Sequence, residues 1–109
     1  MKVIYNSFLP FPGFTAMNLC GLILARRESK PLQKATLRHE AIHTAQMRET
    51  LYVGFYLLYL LEWFIKLFIY GREAYRNISF EREAYRYAAY ENYLEERRAY
   101  AWLRLVIHN

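Results

Sequence analysis

The alternation of apolar and polar positions predicts strands near the N-terminus. Residues 2–5 form a short β-like run, and residues 16–26 contain the unbroken apolar stretch 19–25, which is typical of a buried strand. Gly21 lies inside that stretch and indicates a bulge or a close approach of another chain segment. The sequence Pro-Phe-Pro-Gly at positions 10–13, between the two runs, predicts a turn.

Helical spacing of apolar residues begins near Pro31 and continues towards the C-terminal end. Ser29 and Pro31 indicate the start of a first long helix over residues 32–50, with Ser29 as the candidate cap. Ser79 closes a second capping segment, Asn-Ile-Ser, and residues 80–106 can form one or two further helices. The C-terminal two thirds of the chain are therefore expected to be helical.

The order of these elements predicts a fold class. Because the strands come first, the chain is expected to be α+β and mainly helical, with short N-terminal β-strands followed by three or four helices. Its 109 residues suffice for one small domain, residues 1–109, and 55% of them are hydrophobic, which supplies ample core material. A bound metal ion would stabilise so short a chain further.

Residues 51–70 form an apolar segment that permits three interpretations. The segment is long enough to cross a bilayer, but it contains Glu62 and Lys66, and charged side chains are costly in lipid. Mainly aromatic side chains recur along it at helical spacing: Tyr52, Tyr56, Tyr59, Trp63, Lys66 and Tyr70. This amphipathic stripe favours a packed helix of a soluble domain over a helix in the membrane interface, and it favours a spanning helix least.

The positive charge of the chain is concentrated in one segment. The formal net charge is +5, and most of the excess in the first half comes from Arg26, Arg27, Lys30, Lys34 and Arg38. A basic cluster can attract phosphate groups. Because this one lacks interleaved aromatic residues and a recognisable nucleic-acid module, we expect a solvated face and no nucleic-acid partner.

Cysteine use and the apolar segment at residues 14–25 bear on location. Cys20 is the only cysteine in the sequence, which excludes an intrachain disulfide and fits a reducing compartment. Arg26 and Arg27 follow the apolar segment instead of preceding it, so we interpret residues 14–25 as folded protein and not as a signal sequence. The expected location is cytoplasmic, with peripheral membrane contact as the alternative.

The motif that carries chemistry is HExxH at residues 39–43. His39 and His43 are four residues apart on the first predicted helix, so both imidazoles lie on one face and can reach one metal ion. Glu40 projects about 100° further round the helix axis. It can there hold and deprotonate a metal-bound water without taking a coordination position itself. The pattern predicts a metal site.

A catalytic zinc site usually has three protein ligands, so a third ligand must come from elsewhere. His108 is penultimate in the sequence and is a poor candidate. Glu81 is favoured, because the first turn of a helix suits a carboxylate and the small residues on its face let two helices approach closely. Glu62 is the main rival, although it can instead pair with Lys66. Glu83 projects from another face and is expected to be an exposed charge.

These motifs resemble those of the gluzincin metallopeptidases, in which HExxH is followed by a distant Glu. The closer likeness is to compact gluzincin-like domains that read HExxHxxQ and later ExEA, here residues 39–46 and 81–84. CAAX-processing peptidases of the same clan carry a similar second motif, E-x-x-A-D, whose first Glu binds zinc. The resemblance thus implies a single zincin-like domain in which His39, His43 and Glu81 bind Zn²⁺.

One position departs from the pattern of that clan. The Asp that follows the ligand Glu by four residues is replaced by Tyr85, and the chain contains no Asp. That Asp normally supports a zinc-binding His. We expect a backbone carbonyl, Glu62 or Glu83 to orient the ligands instead.

The resemblance implies a zinc-dependent metallopeptidase acting on a peptide or protein substrate, with Glu40 as the general base on a zinc-bound water. Zincins pair an extended substrate with a strand edge, and residues 19–25 are the best candidate for that edge. Two alternatives stay open. One is a non-catalytic domain that zinc only stabilises. The other is a membrane-surface interaction protein that uses the aromatic stripe and the basic segment.

Overall fold

The computed structural model describes residues 2–8 and 15–107, which form a three-stranded sheet followed by four α-helices. The strands are β1 (Val3–Asn6), β2 (Ala16–Leu19) and β3 (Leu22–Arg26). The helices are α1 (Lys34–Glu49), α2 (Val53–Tyr70), α3 (Ser79–Tyr87) and α4 (Tyr93–Glu96). Short 3₁₀ segments lie at Arg27–Ser29, Gly71–Glu73, Tyr75–Asn77 and Ala101–Leu105. The predicted α+β, mainly helical class is confirmed, whereas the turn predicted at residues 10–13 falls outside the described residues.

The sheet has β3 at its centre, with β1 parallel on one side and β2 antiparallel on the other. The apolar stretch 19–25 is therefore not one strand. Cys20 and Gly21 have φ angles of 52° and 94° and form the two-residue turn of a β2–β3 hairpin, a conformation that favours glycine. Gly21 accordingly marks a turn and not a bulge, and an apolar sequence concealed it.

Helix α1 begins later than its sequence indicates. Ser29 belongs to a 3₁₀ segment, Lys30 is extended (φ −77°, ψ 138°), and the helix starts at Lys34 without a side-chain cap. A residue that precedes proline is disfavoured from helical geometry, which explains why the helix does not run from Ser29 through Pro31. Ser29 is therefore not the helix cap.

The side chain of Asn18 in β2 fixes α1 against the sheet. The Asn18 amide donates to the Glu40 carbonyl oxygen at 2.8 Å and to Thr44 Oγ1 at 2.9 Å, while its oxygen accepts from the Gly21 backbone N–H at 2.8 Å. These bonds satisfy polar groups that would otherwise be costly at a packed interface. They hold the middle of α1, where the HExxH motif lies, beside the hairpin.

The core has two parts. Residues from the helices and the C-terminal segment pack into one cluster, formed by Met47, Phe55, Ile78, Phe80 and Trp102. A smaller cluster lies beneath the sheet and contains Ile23, Ala25 and Leu32. Arg97 further ties the C-terminal segment to the body, because its guanidinium group pairs with the carboxylates of Glu49 and Glu83 at 2.6–3.1 Å.

Helix α2 turns the hydroxyls of Tyr56, Tyr59 and Tyr70 and the Lys66 ammonium towards the protein body. Its outward side is apolar and includes Phe64 and Phe68. Phe55 and Lys66 are its buried residues. By length and composition the segment Val53–Glu73 could cross a membrane. Only 11% of its most apolar 18-residue stretch is buried inside the described structure. Within the described residues, α2 packs against the body on one side only, which permits both the expected helix of a soluble domain and a helix in contact with a membrane.

Candidate metal centre

Helix α1 supplies two imidazoles to one point. His39 and His43 lie one turn apart, and their Nε2 atoms are 3.1 Å from each other. The two rings meet edge to face, with centroids 4.8 Å apart and an interplanar angle of 79°. Helical spacing alone brings the rings together, as the sequence predicted.

Helix α3 supplies a carboxylate to the same point. Glu81 Oε1 lies 3.2 Å from His39 Nε2 and 3.1 Å from His43 Nε2. The three donor atoms therefore form a nearly equilateral triangle. Two ligands about 2.0–2.1 Å from a zinc ion at the tetrahedral angle lie about 3.3–3.4 Å apart, close to these separations. The donor set and its spacing fit Zn²⁺.

The two rival glutamates are engaged elsewhere. Glu62 accepts from Lys66 Nζ at 2.6 Å and from the backbone N–H and the hydroxyl of Ser79, each at 2.6 Å. The helical pair with Lys66 is thus present, and Ser79 is the first residue of α3 and not its cap. Glu83 is fully buried and bonds to Arg97, so the expectation of an exposed charge is wrong. Its burial arises because the C-terminal segment covers that face of α3.

Gln46 orients His43. Its side-chain nitrogen donates to the Phe80 carbonyl oxygen at 3.0 Å and to Glu83 Oε1 at 2.9 Å, which fixes the direction of the amide. Its oxygen then faces His43 Nδ1 at 2.8 Å. Because a carbonyl oxygen can only accept, Nδ1 carries a proton, and Nε2 is the nitrogen that faces the centre. Nε2 can give its lone pair to a cation once its own proton is displaced. Glu83 thus contributes to ligand orientation, but it does so through Gln46.

Tyr85 and Tyr59 complete the surroundings of the ligands. The ring of Tyr85, which replaces the clan's Asp, packs edge to face against His39 with centroids 4.6 Å apart. The hydroxyl of Tyr59 donates to Glu81 Oε2 at 2.6 Å, and the other oxygen of that carboxylate faces the histidines. Sequence reasoning missed this role of Tyr59, because the aromatic stripe alone does not tell which hydroxyl meets a carboxylate.

Burial and charge shift the ionisation of the ligands. Burial disfavours the charged form of His43, yet the Glu81 carboxylate outweighs it and raises the pKa of His43 to about 9. Burial likewise opposes ionisation of Glu81, but His43 and hydrogen bonds from both histidines and Tyr59 hold its pKa well below the usual range. A protonated His43 faces the Glu81 carboxylate where a cation would bind, so metal binding must displace the proton between these two groups.

Glu40 lies beside the triangle without belonging to it. Its residue is 8% exposed, and its carboxylate makes no hydrogen bond within the described residues. Burial is the main cause that raises the pKa of Glu40, although His43 and His39 act in the opposite direction. A buried carboxylate with raised proton affinity beside a metal site has the properties of a general base.

A cavity of about 270 Å³ opens onto the triangle and Glu40. Strand β2, α1 and α2 form its walls, with Tyr75 beside them, and the lining includes Ala16, Asn18, Phe55, Tyr56 and Tyr59. A larger cleft of about 960 Å³ lies elsewhere, along the segment 86–105, and none of the candidate ligands lines it. We assign the chemistry to the smaller cavity, because the convergent titratable groups are there.

The strand edge next to the cavity is β2. The predicted substrate edge, residues 19–25, corresponds mostly to β3, which is paired on both sides and offers no free edge. The Asn18 carbonyl oxygen accepts from the Tyr56 hydroxyl at 3.3 Å and so points away from β3. Backbone groups two residues apart on a strand point the same way, so Ala16 also presents its peptide groups at the edge of β2 that has no partner strand among residues 2–8 and 15–107.

Comparisons with protein-family models, with curated proteins and with solved structures find no match to this chain. The function must be inferred from the site itself, from its donor atoms, their spacing and the groups that surround them.

Proposed function

We propose that this protein is a zinc-dependent metallopeptidase. The observation that carries the proposal is the convergence of His39, His43 and Glu81 on one point, with donor atoms 3.1–3.2 Å apart. These three residues would hold the ion. Bound Zn²⁺ would supply Lewis acidity, which lowers the pKa of water and polarises a carbonyl group. The HExxH spacing and the fixed tautomer of His43 support the same assignment.

Glu40 is the proposed general base. Its carboxylate would take a proton from the attacking water, whose oxygen forms a bond to the carbonyl carbon of the substrate. Glu40 would then pass that proton to the nitrogen of the leaving amine as the C–N bond breaks. In the metal-free protein, burial raises the pKa of Glu40, which is the direction that proton uptake by a general base requires.

Tyr75 is the proposed hydrogen-bond donor to the carbonyl oxygen of the substrate. It lines the cavity, and its hydroxyl lies 3.3 Å from that of Tyr85. Burial and the negative charge of Glu81 raise the pKa of Tyr75, so its hydroxyl stays protonated at neutral pH. A neutral donor beside the reacting carbonyl stabilises the negative charge that develops on oxygen.

The substrate would be an extended peptide that adds to the free edge of β2. The outward peptide groups of Ala16 lie next to the cavity, and a backbone ladder would place the scissile bond beside Glu40. A cavity of about 270 Å³ limits the part of the substrate that enters to a side chain or two.

The test combines metal analysis with cleavage of a mixed peptide library. The purified protein should bind one zinc ion, and His43→Ala should lose most of its zinc affinity. Glu40→Gln should keep zinc and lose at least about a hundredfold in cleavage rate. Glu95→Gln, a change at an exposed glutamate of α4, serves as the matched control. Equal cleavage by Glu40→Gln, or wild-type protein that takes up no zinc, would refute the proposal.

A further inference from the structure

The hydroxyls of the three tyrosines within α2 and its two charged side chains make hydrogen bonds to the protein body. The hydroxyl of Tyr56 accepts from the Cys20 backbone N–H at 2.9 Å, and the hydroxyl of Tyr59 donates to Glu81. Further along, Lys66 donates to Glu62 and to the Asn77 carbonyl oxygen, and the Tyr70 hydroxyl accepts from Arg82. The body therefore contacts the whole length of one face, from Phe55 to Tyr70.

The opposite face is apolar over its full length. Within Val53–Tyr70, all of which the structure describes, the outward arc contains no charged residue and spans about 200° of the helix circumference at 100° per residue. Large side chains on it are strongly exposed: Leu57 64%, Leu60 62%, Leu61 55%, Phe64 55%, Phe68 79% and Ile69 67%. The helix is about 27 Å long.

We infer that this face of α2 is embedded in a lipid bilayer. A single partner helix buries a seam about 100° wide, so it would leave about half of this arc in water. A lipid phase covers the whole arc at once. A continuous apolar face along the whole helix marks an interaction surface and is not a scatter of single exposed residues.

The charges around α2 fit anionic headgroups. Arg48 precedes the helix, Arg72 and Arg76 follow it, and all three are exposed. The acidic residues of the same flanks are Glu73, which is exposed, and Glu49, which is paired with Arg97. Basic residues at the edges of an apolar helical face attract the phosphates of acidic lipids. The net charge of +5 acts in the same direction.

The helix lies in the plane of the membrane surface and does not cross it. Because the body contacts α2 from Phe55 to Tyr70, a crossing helix would carry the body with it to the level of the hydrocarbon. The buried charges Arg82 and Glu83 and the exposed polar surface of the body would enter lipid, at a prohibitive cost. An in-plane helix immerses only its apolar arc.

Flotation with vesicles tests the inference. Wild-type protein should float with vesicles containing about 30% phosphatidylglycerol in phosphatidylcholine. The double variant Leu61→Gln/Phe64→Gln should lose at least tenfold in partitioning, because it removes two central apolar side chains. The matched control is Leu94→Gln/Leu103→Gln, which changes two exposed leucines outside α2 and should float like wild type. Wild-type protein that stays at the bottom, or a control that falls as far as the test variant, would overturn the inference.

Tryptophan fluorescence distinguishes an in-plane helix from a spanning one. Trp63 lies midway along Val53–Glu73, and Trp102→Phe leaves it as the only tryptophan. In an in-plane helix, lipids brominated near the headgroup should quench Trp63 more strongly than lipids brominated deep in the chain. Stronger deep quenching would place Trp63 at the bilayer centre and contradict the in-plane arrangement.

Two further results keep the alternatives apart. A stable dimer in solution that Leu61→Gln/Phe64→Gln dissociates, together with no flotation, would assign the face to a second copy of the chain and overturn the inference. His43→Ala should float like wild type, because lipid binding does not depend on the metal ligands. Lipid binding and peptide hydrolysis can therefore fail independently.

Discussion

Gln46 joins the candidate metal centre to a buried charge network. It accepts from His43 and donates to Glu83, which in turn pairs with Arg97. Gln46→Met preserves the volume but removes these two bonds and the one to the Phe80 carbonyl oxygen. We expect zinc affinity to fall 10–100-fold, because the His43 ring loses the group that fixes its tautomer. Competition with a chromophoric chelator measures the change.

The control for Gln46 is Gln33→Met, which alters an exposed glutamine just before α1. Its zinc affinity should equal that of wild type. If Gln46→Met also retained wild-type affinity, the proposed orientation of His43 would be wrong.

Tyr75→Phe tests the proposed donor to the substrate carbonyl. The change removes one hydroxyl and keeps the ring, so substrate binding should change little while kcat falls about 10–100-fold. Steady-state kinetics on a cleaved peptide separate the two parameters. Tyr90→Phe, an exposed tyrosine outside the cavity, is the control. A rise in KM with unchanged kcat would instead assign Tyr75 to substrate binding.

At the scale of single residues, the sequence predicted contacts between residues that are close together on one helix. It missed contacts between residues that only the tertiary structure brings together. His39 and His43 meet because they are one turn apart, and Glu81 could be chosen by its place in the first turn of a helix. The burial of Glu83 could not be predicted, because it depends on Arg97 approaching from a distant segment. The hydrogen bonds of Asn18 could not be predicted either, because its partners Glu40 and Thr44 are also distant in the sequence.

Helix α3 begins at a cap supplied from another helix. The Glu62 carboxylate accepts from the backbone N–H and hydroxyl of Ser79 and pairs with the buried Lys66. Glu62→Gln would weaken the cap and leave Lys66 without its counter-charge, which should lower the free energy of unfolding by about 3 kcal/mol. Urea denaturation followed by circular dichroism measures the loss.

Glu73→Gln, at an exposed glutamate, is the control for Glu62→Gln and should change stability by less than about 0.5 kcal/mol. Because α3 carries Glu81, Glu62→Gln should also weaken zinc binding. An unchanged unfolding midpoint would show that the cap does not contribute to the fold.

Among the elements, long helices were predicted better than their ends and neighbours. The approximate positions of α1 and α2 follow from periodicity over many residues. The hairpin at Gly21 was missed because the apolar run 19–25 continues through the turn. The exposure of α2 was missed because apolar helices are normally covered by protein, and its sequence does not specify what covers it.

The whole molecule should respond to pH in opposite ways with and without metal. In metal-free protein the pKa of His43 is about 9, above the value of 6.5 expected for the unfolded chain. Its stabilising contribution is therefore fully present below pH 6.5 and is lost as the pH rises through 9, by up to about 3 kcal/mol. Denaturation of the protein in the presence of a chelator at pH 6, 7.5 and 9 measures this loss of stability.

With zinc present, the dependence reverses, because binding displaces the proton shared by His43 and Glu81. Zinc affinity should rise about tenfold per pH unit between pH 6 and 8. The variant His43→Ala should show neither the fall in metal-free stability with rising pH nor the rise in zinc affinity. A metal-free protein whose stability is flat over this range would contradict the shared proton.

Helix α2 is also a wall of the cavity that opens onto His39, His43 and Glu81, since Phe55, Tyr56 and Tyr59 line it. Active site and bilayer would then stand only one helix diameter apart, roughly 10 Å. About three or four extended residues bridge that distance. A protein tethered in the same leaflet could thus present its juxtamembrane stalk for cutting, and lateral diffusion would replace a three-dimensional search.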